Sequence, residues 1–204
     1  MTTRSRGNSR PTCVAGVLVG GGSRRMGRAK ALLKLPDGRT FVEHAVSVAR
    51  NVARKVLILG SLEELPAPLS GFPLLPDAEE NAGPLGGLCT LLLHAHAQWA
   101  LPIACDMPKL TPRVLRRLLA EAGESADAVA FACDGRPDTY HACCAAYHPR
   151  VLPTVRRALR EDTTNLQRLL RSMRVVTLTP TAEETRLLAN VNTPGDLTRV
   201  LHEA

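Results

Sequence analysis

The sequence predicts an α/β fold: one domain with a mostly parallel sheet and helices on both faces. Short apolar, β-branched runs recur along the chain, such as residues 13–19 ("CVAGVLV") and 55–59 ("KVLIL"). Helix-start signals stand between them, as in Thr40-Phe41-Val42-Glu43 and Thr111-Pro112. The chain has 204 residues, 45 % of them apolar, which suits a single domain with a buried core. Strands alternating with helices at this spacing form βαβ units, whose parallel strands are covered on both sides.

The elements follow in order. Residues 13–19 end at glycines and read as a buried strand. Thr40 with Glu43 has the form of a capping box, and the apolar spacing after it fits a helix to about residue 54. Residues 55–59 are the next strand, closed by Gly60. Residues 64–76 ("ELPAPLSGFPLLP") form a Pro-rich loop with a short strand at its end. Pro84 opens a helix that continues through residues 85–97 ("LGGLCTLLLHAHA"). Residues 99–105 ("WALPIAC") are a third buried strand, with Asp106 just past its end. Thr111 and Pro112 start a helix that runs to about residue 122. Residues 127–133 and 140–147 are strands around a "DGRPD" turn. Helices near 149–160 and 164–173 precede a strand at 174–178, and Thr193-Pro194 opens a last helix. With no internal repeat, residues 13–204 read as a single Rossmann-like domain. Ligands collect at the carboxyl ends of strands in such sheets. Two chemically loaded spots fall there: the glycine-rich loop after the first strand, and Asp106.

The formal charge is +7, which favours acidic partners. Aromatic residues are 3 % of the chain, too few for the stacking platforms of single-stranded nucleic acid binding. Arg150, Arg156, Arg157, Arg160, Arg168 and Arg171 recur at helical spacing, as on a solvated face. The six cysteines include no CxxC pair, and several lie in apolar runs where a free thiol packs as a small hydrophobe. This points to the reducing cytoplasm. No apolar run approaches the roughly 20 residues of a membrane span. Residues 1–12 read as a mobile basic tail rather than a secretory signal.

The loop "GGGSRRMGRAK" is neither of two familiar phosphate loops. Gly22 and Gly27 have P-loop separation, but Lys30 comes two positions late and no Ser or Thr follows it. The GxGxxG dinucleotide pattern fails as well, with Arg25 at its third glycine position. Bare backbone at Gly20, Gly21 and Gly22 lets N–H groups approach phosphate oxygens. Arg24, Arg25, Arg28 and Lys30 supply charge for the rest. A triphosphate suits this loop better than a neutral ligand.

Residues 18–30 carry the pattern LxGGxSxRMGxxK, which resembles the signature of the MobA-type molybdenum cofactor guanylyltransferases. Gly83-Pro84-Leu85-Gly86-Gly87 is similar to that family's GPLAG element. Cys105-Asp106-Met107-Pro108 is similar to CDxP, and residues 190–197 ("NVNTPGDL") to NxNTPEDL. The resemblance implies that Leu18, Val19, Gly20 and Gly21 line the nucleotide, and that Lys30 and Arg25 contact its phosphates. It places Asp77 in the nucleotide site, Asp106 as the Mg²⁺ ligand, and Asn190 and Asn192 near the pterin substrate. The plainer alternatives are a loop acid at Asp77, a turn or capping residue at Asp106, a surface lysine at Lys30 and turn residues at Asn190 and Asn192. Three positions depart from the family: Val19 replaces the usual alanine, and Ala29 replaces an acid that would tether Lys30. Gly60 stands about where some members place a base-contacting asparagine, so that contact is lost or supplied elsewhere.

The implied reaction transfers GMP from GTP to Mo-molybdopterin, giving the guanine dinucleotide cofactor and pyrophosphate. Its implied partners are GTP, Mo-molybdopterin and molybdoenzymes or cofactor-delivery proteins, with neither nucleic acid nor membrane. An acceptor phosphate is already an anionic nucleophile, so the site needs charge neutralisation and positioning more than a strong base. The alternatives are a cytidylyltransferase on the same pterin, a sugar- or alcohol-phosphate nucleotidyltransferase, or a non-catalytic GTP-binding regulator.

Overall fold

The computed structural model describes residues 11–20, 30–62, 64–79, 82–133, 136, 138–161 and 165–202. The expected site residues Gly21 and Arg25, and residues 1–10 of the expected tail, lie outside the described residues. Thr12 is fastened at the sheet's lower edge. Its backbone N–H donates to Gln98 Oε1 at 2.9 Å, and its carbonyl accepts from Trp99 N at 3.1 Å.

The strands are β1 (Cys13–Leu18), β2 (Lys55–Leu59), β3 (Leu74–Leu75), β4 (Trp99–Ala104), β5 (Ala128–Ala132), β6 (Tyr140–Tyr147) and β7 (Val175–Leu178). They form one seven-stranded sheet in the order β3-β2-β1-β4-β6-β5-β7. β6 runs antiparallel to both β4 and β5, and the remaining pairs are parallel. The short connection from Ala132 to Tyr140 explains this. A parallel crossover needs a dozen or more residues, so β5 and β6 pair antiparallel.

The helices are α1 (Phe41–Arg50), α2 (Pro84–His94), α3 (Pro112–Ala120), α4 (Leu152–Arg160), α5 (Leu166–Arg171), α6 (Ala182–Leu187) and α7 (Pro194–His202). α1 and α3 bury Val42, Val46, Val114 and Leu118 on one face, against Val17, Ile58 and Ile103. α2, α4 and α5 bury Leu88, Val155 and Leu170 on the other, with Leu57, Leu59 and Tyr147. Since the sheet is covered on both sides, all six residues of β1 are buried. Among the described residues no helix is long and apolar enough to cross a membrane, and the six cysteines are free thiols.

Several boundaries differ from the sequence expectation. α1 ends at Arg50, where the Asn51 N–H folds back to the Val48 and Ala49 carbonyls. α2 ends at His94, whose Nδ1 pairs with the Thr90 carbonyl at 2.8 Å. α6 was not expected. Its signal was present, because Thr181 and Glu184 form a capping box. Glu184 also pairs with Arg117, whose guanidinium lies 5.3 Å from the Phe131 ring centre, so α6 is pinned to α3 and the sheet.

Candidate active site

The sheet register builds the site. β1 lies between β2 and β4, with Leu18 level with Leu59 on one side and Ala104 on the other. The segments after these strands therefore emerge together: Val19-Gly20, Gly60 and Cys105-Asp106. Backbone bonds lock them, from Val19 N to the Leu59 carbonyl at 2.9 Å and from Gly60 N to the Leu75 carbonyl at 2.9 Å. Gly60 has φ +110°, and a Cβ there would stand 2.7 Å from Gly20 N. Glycine at this position is thus required by the close passage of two backbones. Gly20 is exposed, whereas Leu18 and Val19 are buried.

Asp77 follows β3 and reaches the same edge. A Cβ on Gly20 would lie 3.7 Å from its Oδ2, and one on Gly87 would lie 3.4 Å from its Oδ1. The GPLGG element thus opens α2 with little side-chain bulk beside this carboxylate, and burial pushes the Asp77 carboxyl above its ordinary value. Thr90, buried on α2, escaped the sequence reading. Its hydroxyl accepts from Ala78 N at 2.7 Å and reaches the Pro76 and Gly86 carbonyls at 3.3 and 3.2 Å. It clamps both sides of Asp77; the one available signal was a polar residue inside an apolar helix.

Lys30 and Asp106 form the centre. Lys30 begins a 3₁₀ turn (Lys30–Leu32) anchored by the buried Ala31. Its Nζ donates to Asp106 Oδ2 at 2.8 Å and to Asn192 Oδ1 at 3.0 Å. The two charged side chains are 16 % and 18 % exposed, so water screens them only partly. Both of these partners are distant from Lys30 in sequence. Asp106 Oδ1 is buried and has no hydrogen-bond partner among the described residues.

The C-terminal motif closes over this pair. Val191 N donates to the Asp106 carbonyl at 2.9 Å. Asp196 Oδ2 accepts from Asn192 N and Thr193 N at 3.0 and 2.9 Å, which lowers the Asp196 pKa. Asn192 is thereby aimed at Lys30, while Asn190 stands exposed two residues earlier. The loop after Asp106 is steadied from α1. His44 Nε2 lies 3.0 Å from the Leu110 carbonyl and so carries the proton, and burial lowers the His44 pKa. On β6, burial and then the Asp106 charge push the Cys143 thiol up to about 12.

The donor set suits a cation that brings further ligands with it. Among the described residues no three His, Cys, Asp or Glu side chains converge into a metal cage. Asp106 offers one carboxylate with an unsatisfied buried oxygen. Mg²⁺ is ordinarily held by one or two carboxylates together with phosphate oxygens and waters.

A doubly covered α/β sheet with an exposed glycine, a lysine and two carboxylates on one carboxyl edge is the frame of a nucleotide-handling transferase. Comparison with known proteins gives the particular family. The family model described as the MobA-like NTP transferase domain matches residues 15–178, and the chain belongs to that family. A probable molybdenum cofactor guanylyltransferase of Nostoc sp. is 32 % identical over 89 % of this chain and 86 % of its own. One from Geobacillus sp. is 31 % identical over 88 % and 93 %. In fold, the chain is similar to molybdopterin-guanine dinucleotide biosynthesis protein A of Archaeoglobus fulgidus (TM-score 0.77, 24 % identity, covering 93 % and 97 %). It is also similar to 2-C-methyl-D-erythritol 4-phosphate cytidylyltransferase of Thermus thermophilus (TM-score 0.68, 18 % identity, covering 92 % and 96 %). Both likenesses are ones of fold, and fold alone does not fix function.

Proposed function

We propose that this chain transfers GMP from GTP to Mo-molybdopterin, giving molybdopterin guanine dinucleotide and pyrophosphate. The observation that carries this reading is the meeting of the Gly20 turn, Asp77 and the Lys30–Asp106 pair on one strand edge. Relatives named as probable molybdenum cofactor guanylyltransferases, aligned over most of the chain, support the choice of substrates.

In this reading the backbone of Leu18, Val19, Gly20 and Gly21 cradles the nucleotide, with Asp77 beside it. An oxygen of the acceptor's phosphate attacks the α-phosphorus of GTP. A new P–O bond forms, the bond to the bridging oxygen breaks, and pyrophosphate leaves with that electron pair. No proton need be removed from the nucleophile. Lys30 and Arg25 take up charge on the leaving group, and fixed cations of this kind act mainly in the transition state. Asp106 would hold Mg²⁺, which when bound neutralises phosphate charge and aligns the reacting oxygens. Asn190 and Asn192 border the acceptor side, where Asn192 also fixes Lys30. A cytoplasmic setting fits the free thiols.

The test incubates the protein with Mo-molybdopterin, Mg²⁺ and each of the four nucleoside triphosphates in turn. The dinucleotide and pyrophosphate are expected with GTP. Equal product from CTP would overturn the guanine assignment, and no pyrophosphate with any triphosphate would overturn the transferase reading for this acceptor.

A further inference from the structure

We infer that Lys30 is a stand-in cation: without nucleotide its ammonium occupies the metal-facing carboxylate of Asp106, and it is released to the phosphates when metal and nucleotide arrive together. The inference rests on the reading of Asp106 as metal ligand proposed above.

Asp106 combines two features that call for a cation. One oxygen accepts from Lys30 Nζ at 2.8 Å, and the other is buried with no donor among the described residues. A carboxylate oxygen buried without a donor is costly, and an ammonium on the other oxygen offsets that cost only in part. The lysine is held in this position from two sides. Asn192 Oδ1 accepts a second N–H at 3.0 Å, and Asp196 fixes the Asn192 backbone in turn. The backbone of Lys30 is anchored on its C-terminal side, with Ala31 buried and the Leu33 N–H bonded to the Lys30 carbonyl. Exchange therefore requires only that the flexible four-carbon side chain swing. Asn192 acts here as a positioning residue for Lys30.

A consequence follows from linkage. A divalent ion arriving alone must share Asp106 with a fixed positive charge and binds weakly. A triphosphate that draws the ammonium away raises metal affinity, and the metal raises nucleotide affinity by the same factor. The site then loads metal and nucleotide as a pair and resists idle occupancy by metal.

The test is Mn²⁺ binding to the full chain without nucleotide, followed by electron paramagnetic resonance. Wild type is expected to bind Mn²⁺ weakly. Lys30→Met and Lys30→Gln are both expected to bind it about tenfold more tightly or better, and the Lys30→Met/Asp106→Asn double variant to lose that gain. Asn192→Ala, which loosens the lysine without removing it, should fall between. The two Lys30 variants guard against one failing to fold, which thermal unfolding reports. If neither binds Mn²⁺ more tightly than wild type, the stand-in role is wrong. A parallel titration with the α,β-methylene analogue of GTP separates the two readings. Loss of Mn²⁺–nucleotide binding in Asp106→Asn alongside unchanged Lys30 variants would sink only the stand-in role. Mn²⁺–nucleotide binding indifferent to Asp106→Asn would sink the ligand assignment itself.

Discussion

Lys30 and Asp106, 76 residues apart in sequence, meet at 2.8 Å where β1 and β4 emerge side by side. The register of two parallel strands sets Asp106 beside the end of β1, since Leu18 and Ala104 are level, and Lys30, further along the chain after β1, reaches it there. Lys30→Ala should therefore lose more in kcat than in GTP affinity. The cation matters most as charge gathers on departing pyrophosphate, and removing one such group typically costs about 10²–10³ in rate. Single-turnover kinetics at saturating GTP would read this. Unchanged chemistry with a raised GTP dissociation constant would make Lys30 a binding residue only.

Gly60→Ala should disturb fold and site together. Its φ of +110° and the 2.7 Å approach of a Cβ to Gly20 N leave no room without moving the Val19-Gly20 backbone. A cost of about 1–3 kcal/mol is expected. At this chain length that lowers the melting temperature by about 2–4 °C per kcal/mol. Calorimetry measures the first effect and GTP titration the second. A variant with wild-type stability and affinity would show that the two backbones can separate freely.

Thr90→Val keeps the shape of the side chain and removes its hydroxyl. The Ala78 N–H then loses its partner, at a cost of about 1–3 kcal/mol. Asp77 should lose its fixed position, so GTP binding weakens beyond what the stability change explains. Comparing Thr90→Val with Thr90→Ser, which retains the hydroxyl, isolates the hydrogen bond. Equal GTP affinity in the two would refute the clamp.

Stability should peak between about pH 7 and 8. Burial lowers the pKa values of His44, His141 and His148, so the unfolded chain binds more protons below the ordinary histidine value of 6.5. Stability is therefore lost as pH falls through that value and levels off below the folded-state values. On the alkaline side, burial pushes the Cys13 thiol up to about 11 and Cys144 up to about 12, from 9.0. The unfolded chain loses those protons first, so stability falls as pH rises above 9. Melting temperatures across this range, taken under reducing conditions, should trace a dome. A flat acid limb would mean that folding leaves the histidine pKa values unchanged.

Local chemistry made much of this legible. The strands of the central sheet announced themselves as short apolar runs, and α1, α3 and α7 through their caps. Asp106, Lys30 and Asp77 could be singled out because motif chemistry is local. What sequence could not supply was partnership at a distance. Nothing near Lys30 revealed that Asn192 would hold it, because that contact depends on the chain returning over β4 after α6. Thr90 was hidden in an apolar helix for the same reason: its value comes from a loop one layer away. The need for Gly60 was likewise invisible, since a positive φ and a neighbouring backbone leave no trace in composition. α6 was overlooked although its capping box stood in the sequence, because six residues carry too little apolar periodicity to assert a helix.

The most direct test of the site is single-turnover transfer of GMP from GTP to Mo-molybdopterin by Asp106→Ala with Mg²⁺ present. Removing the carboxylate should abolish magnesium-dependent transfer while the fold, checked by thermal unfolding, persists. A variant that kept more than about a tenth of the wild-type rate, a loss under roughly 1.4 kcal/mol, would contradict the account and place the metal on another residue.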